Sequence, residues 1–188
     1  MSQQRLKNLN SLFIFTSHPE IIMIQNSIDN LNSYIAVTDV VDEKDFSAES
    51  NLLSGSSFGQ HLRHVLEFYL CLFTGFKTGI VCYDERKRDL LLETDKGYAV
   101  QTIKEIIKSL TQINGDYPIK VKTNSSDLPE NFKLVDSSVY RELHYSFDHS
   151  IHHQALIKIR LNELRCTEID KNFGIAPSTI QYRKECAQ

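Results

Sequence analysis

Apolar residues recur at spacings of three and four along four long stretches of the chain. That period places them on one face of a helix. Ile21, Ile24, Ile28, Leu31 and Ile35 form the first stripe, predicting a helix over about 18–38. Ser17-His18-Pro19-Glu20 opens it: Ser and a Glu three residues on make a capping box, and Pro fits the first turn. Phe58, Leu62, Val65, Tyr69, Leu72 and Phe76 form the second stripe, over about 57–77, after the break Ser54-Gly55-Ser56-Ser57. Ala99, Ile103, Ile106, Leu110 and Ile113 form the third, over about 95–113, with Thr94 or Asp95 as cap. Val139, Leu143, Phe147, Ile151, Leu156, Ile159 and Leu164 define the fourth, over about 138–164, capped by Ser137 or Ser138.

The period changes between the third and fourth helices. Asn114-Gly115-Asp116 is a turn signal. Pro118-Ile119-Lys120-Val121-Lys122 alternates like a strand, Asn124-Ser125-Ser126-Asp127 reads as loop, and Phe132-Lys133-Leu134-Val135 reads as a return strand. Asp84 to Asp89 is a charged connection, and a short helix is expected after Pro177. The pattern predicts an all-α four-helix bundle with a small β-hairpin before the last long helix. Residues 1–17 are expected to form a loosely anchored arm, and residues 18–188 a single domain.

Composition narrows the function classes. Of 188 residues, 41% are apolar and 24% charged, which suits one soluble globular domain with a sizeable core. A net charge of −3 gives no general attraction to nucleic acid or to anionic membrane. No stretch approaches the roughly 20 apolar residues of a membrane span. Cys71, Cys82, Cys166 and Cys186 include no Cys-x-x-Cys pair, which speaks against a thiolate zinc knot and for reduced thiols in the cytoplasm. Apolar residues on more than one side of the second helix suggest a homodimer.

The histidines carry the candidate chemistry. Of seven in the chain, His61 and His64 lie in one short stretch, and His149, His152 and His153 in another. On a helix, residues three or four apart share a face, so His61 pairs with His64 and His149 with His153. Two imidazoles four apart can converge on one cation, and one histidine of the second helix would complete a three-nitrogen site. Three protein ligands leave a coordination position for substrate. His61 and His152 are either alternative ligands or supporting groups. Three imidazoles suit zinc, nickel, iron and copper alike. His144 points away from His149, and His18 has no clear partner. Glu142, seven residues before His149, is a candidate to orient a ligand ring or act as a base. Arg63, Arg141 and Tyr145 could reach an anionic substrate, or be committed to salt bridges and solvent.

Gln60-His61-Leu62-Arg63-His64-Val65-Leu66-Glu67-Phe68, followed by Asp148-His149-Ser150-Ile151-His152-His153, resembles the DinB-like superfamily of metal-dependent enzymes. The resemblance covers about residues 18–164, and at its widest 18–185. It implies a bundle in up-down-down-up order and a divalent metal held by one histidine of helix two and a later His-x-x-x-His pair. Those positions match His64, His149 and His153. Superfamily members of known activity resemble thiol-dependent transferases or isomerases. The resemblance therefore implies a metal-dependent hydrolase or thiol transferase acting on a small molecule that the motifs do not identify.

Two rival readings come from other classes. Residues 168–184 look like a helix-turn-helix, with Ser178, Thr179, Gln181, Tyr182 and Arg183 as DNA-contact types. The acidic net charge and the few basic residues there oppose it, because phosphate neutralisation drives DNA affinity. Otherwise this tail packs across the bundle end through Phe173, Ile175 and Ile180. The other rival is a bundle that binds a small ligand without catalysis.

Overall fold

The computed structural model describes residues 19–124 and 132–187. The arm 1–17, the capping box at Ser17, His18 and the loop residues from Ser125 to Asp127 lie outside the described residues. Four long helices dominate: α1 (Pro19–Val40), α3 (Phe58–Thr78), α5 (Lys96–Leu110) and α6 (Val139–Glu163). Two short helices, α2 (Glu43–Ser47) and α4 (Leu91–Thr94), and a single 3-10 turn (Asn51–Leu53) sit in the connections, and α7 (Pro177–Cys186) ends the chain. Each long helix packs against two others, α1 on α5 and α6, and α3 on α5 and α6.

Local chemistry fixes the helix ends that position the site. The Ser57 hydroxyl accepts from Gln60 N and the Gln60 side chain accepts from Ser57 N, closing a capping box at the start of α3. Gly79, in the left-handed region at φ 82°, ends it. Ser138 caps α6 and Asp95 caps α5. The α3 stripe is buried from Phe58 through Leu72, and the α5 stripe from Ala99 through Ile113.

Two faces differ from expectation. The buried side of α1 runs through Ser27, Asn30, Leu31, Tyr34, Val37 and Thr38, while Ile21 is exposed. On α6, Ile159 is exposed, and Ser146, Ser150, Gln154, Ile157 and Leu161 lie inward. The reason is a polar seam between the two helices. The Tyr34 hydroxyl donates to the Ser150 carbonyl at 2.6 Å, and Ser150 donates to Asn30 Oδ1 at 2.6 Å. Gln154 donates to Ser33 at 2.7 Å and accepts from the Gly174 N–H at 3.1 Å. Buried polar groups are tolerated where they are hydrogen-bonded, and the seam pairs Asn30, Ser33, Tyr34, Ser150 and Gln154 in this way.

The expected hairpin forms, and one further strand makes it a three-stranded sheet within a mostly helical fold. β2 (Pro118–Asn124) pairs antiparallel with β3 (Phe132–Ser138), and β1 (Ile80–Val81) adds to β2 in parallel. β1 is drawn against α3 at Gly75, where an added Cβ would lie 2.2 Å from Val81 Cγ2.

The tail does not form a helix-turn-helix. Turns occupy 171–174, no helix lies between α6 and α7, and α7 buries no residue. Phe173 is the anchor: it is buried and meets Tyr34 edge-on at 6.0 Å, whereas Ile175 and Ile180 are only partly covered. Among the described residues, no helix is long and apolar enough to cross a membrane.

Candidate metal centre

Helix α3 carries His61, His64 and Phe68 on one face, and α6 carries Tyr145, His149 and His153 on the face that meets it. The packing of α3 against α6 brings the two sets together. His64 Nε2 lies 2.8 Å from His149 Nε2, and His61 Nδ1 lies 3.0 Å from His153 Nδ1. The rings of His64, His149 and His153 form a nearly equilateral triangle, with centroid separations of 4.9, 4.7 and 4.7 Å. One nitrogen from each of the three lies within 4.8 Å of the others.

That spacing suits a cation. Ligand bonds of roughly 2.0–2.1 Å at tetrahedral angles hold nitrogens about 3.3 Å apart, so small ring rotations would seat an ion. The protonation state suits one as well, because a ligating imidazole must be neutral. Burial and the adjacent His149 hold the His64 pKa down to about 4, with Arg86, Arg63 and His61 adding to the effect. Burial and His149, His64, His61 and His152 lower that of His153 to about 3. His149 is lowered by burial, then by His152 and Arg86, and His61 by burial, then by His152. The site therefore presents uncharged nitrogens at neutral pH.

Aromatic packing restrains the rings. Phe68 stacks on His149 with centroids 4.2 Å apart at 17° and meets His64 at 4.9 Å. Tyr145 lies 6.0 Å from His149 on the same side. Phe68 and Tyr145 also line a cavity of about 480 Å³ between α6, the sheet and the loop after β1. Tyr83, Asp84, Arg86 and Arg141 face the same cavity.

The remaining candidates fall in different places. His152 is exposed, its ring 6.5 Å from that of His149, and it is not among the three converging histidines. His144 is exposed and faces Asp148 at 3.5 Å. Glu142 is buried, but its oxygens accept from the Tyr83 hydroxyl at 2.8 Å and the Ser137 hydroxyl at 2.6 Å, so it ties the sheet to α6. Arg63 is committed to Glu93 at 2.6 Å. The Arg141 guanidinium lies over the Tyr145 ring at 5.6 Å.

Sequence reasoning missed Tyr83 altogether and read Arg86 only as part of the charged connection Asp84 to Asp89. Arg86 sits over Phe68 at 5.4 Å and 3.7 Å from Glu67, a buried carboxylate that also accepts from Asp89 N at 2.8 Å. A glutamate next to the apolar stripe of α3 was the available signal, since a buried carboxylate requires partners.

No family model matches the chain, and no solved structure matches it. A stretch of 109 residues, 56% of the chain, is 33% identical to FK506-binding protein 5 of Rhizopus delemar. The chain spans 28% of that protein's length.

Proposed function

We propose that the chain is a metal-dependent enzyme of the DinB-like type, built as a four-helix bundle in up-down-down-up order. It holds one divalent transition metal (zinc, nickel or iron) through His64, His149 and His153. The observation that carries this reading is the convergence of three neutral imidazoles from two helices within 4.8 Å, with no carboxylate in the set. Phe68 backs the rings, and burial with the neighbouring histidines keeps His64 and His153 uncharged, both of which suit a metal ligand.

Such an ion supplies Lewis acidity for hydrolysis, or for activating a thiol in group transfer. The chain's own residues do the rest. Phe68 and Tyr145 hold His149 in orientation from the cavity side. The cavity they share gives room for a small-molecule substrate, and Arg141, exposed at its rim, is available to an anionic group. Tyr83 and Ser137 keep Glu142 turned into the α6–sheet junction, which leaves the histidines without a carboxylate competitor.

Elemental analysis of protein purified without a polyhistidine tag tests the reading. The expected result is near-stoichiometric transition metal, lost in His64→Ala and His149→Ala and kept in His144→Ala. Metal retained in both site variants, or none in the wild type, would overturn it.

A further inference from the structure

His61 is left over by the three-histidine site, yet it is aimed into it. Its Nδ1 is 3.0 Å from Nδ1 of His153, the ring centroids are 5.2 Å apart, and its Nε2 is buried with no hydrogen-bond partner among the described residues. It is not one of the three residues whose nitrogens converge.

We propose that His61 is the positioning residue of the metal centre: it accepts a hydrogen bond from His153 Nδ1–H and so leaves His153 Nε2 bare to face the cation. This rests on the reading of the site given above. Two ring nitrogens in contact need one donor and one acceptor. If His61 donated, the neutral His153 would carry its proton on Nε2 and could not ligate through that atom. If His153 donates, Nε2 holds a lone pair, and the proton of a neutral His61 sits on its own Nε2. Ligating histidines are commonly held this way through the second ring nitrogen, most often by a carboxylate or a backbone carbonyl. No carboxylate is hydrogen-bonded to His153 among the described residues, and a neutral imidazole on the facing helix does the work instead.

The closing experiment uses untagged full-length protein, stripped of metal and titrated with cobalt(II) against a chelating dye. His61→Ala removes the acceptor. His61→Asn keeps one, because asparagine Oδ1 is bonded to Cγ as histidine Nδ1 is. The expected result is a loss of about 10–100-fold in cobalt affinity for His61→Ala, with most of it restored in His61→Asn. In zinc-loaded wild type, ¹⁵N NMR of the imidazoles should show His153 protonated at Nδ1 and ligating through Nε2, a signature that mere packing by His61 would not produce. Equal affinity in wild type and His61→Ala overturns the role of His61 while leaving the metal site standing. So does His61→Asn no better than His61→Ala, or ligation by His153 through Nδ1. Wild-type protein that takes up no cobalt overturns the site and this inference together.

Discussion

Acidification should destabilise the metal-free protein well before its carboxylates titrate. An unfolded histidine titrates near 6.5, whereas His64 in the fold titrates at about 4 and His153 at about 3. Over the interval between, the unfolded chain binds protons that the folded chain refuses, so stability falls as pH falls. The contribution is fully present above 6.5 and is lost on the way down towards the folded values. From about pH 7.5 to about pH 5, a wholly sheltered group with these values would cost roughly 2 kcal/mol. Both rings are only partly buried, so solvent screening brings this to about 1 kcal/mol each, or about 2 kcal/mol for the pair. For a chain of this size that lowers Tm by about 4–8 °C. Glu85, Asp136 and Glu163 have pKa values below their ordinary 4.5, 3.8 and 4.5, so their contributions persist through this window. The assay is a thermal melt followed by circular dichroism across this range, in excess chelator. A His64→Leu, His153→Leu double variant should show a shallower dependence. A flat wild-type profile, or a double variant as acid-sensitive as wild type, would show that His64 and His153 do not carry this dependence.

Three further outcomes are expected. Tyr34→Phe removes the buried donor to the Ser150 carbonyl and should cost about 1–2 kcal/mol in urea unfolding. Gly174 adopts φ +73°, and an added Cβ would sit 2.8 Å from the Ala155 backbone, so Gly174→Ala should cost about 1–3 kcal/mol and raise amide exchange over 167–176. Glu142→Gln turns an NH₂ towards a hydroxyl donor; it should destabilise by about 1–3 kcal/mol, read by urea unfolding, while metal content stays at the wild-type level because Glu142 bonds to no ligand histidine.

Much of the helical framework was legible because α3 and α5 bury unbroken apolar stripes, and periodicity detects those directly. The inward face of α1 was legible only in part. Leu31 is buried and Ile24, Ile28 and Ile35 pack against the core, but Ser27, Asn30 and Thr38 are buried there too, and an apolar stripe leaves polar residues out. The short helices α2 and α4 lie below the length at which local propensity can act, so tertiary contacts create them. β1 is two residues long and exists because β2 offers it an edge. In the site, spacing alone brought out His149 with His153 and His61 with His64. It could not choose between His61 and His64, because that choice depends on the rotation of α3 against α6. The environment of Glu142 was also invisible: its partner Tyr83 is 59 residues away in sequence.

The seam between α1 and α6 has a bearing on the metal centre that lies beside it. Each histidine that α6 contributes is followed directly by a seam residue: His149 by Ser150, and His153 by Gln154. Sliding α6 by one turn, about 5.4 Å, would strand the side chains of Ser150 and Gln154 in the interior without mates. The same movement would carry both imidazoles out of reach of α3. The hydroxyl and amide contacts on one flank thus serve as an indexing pin for the nitrogens on the other, and a substitution at Asn30, which touches no histidine, should loosen the grip on an ion.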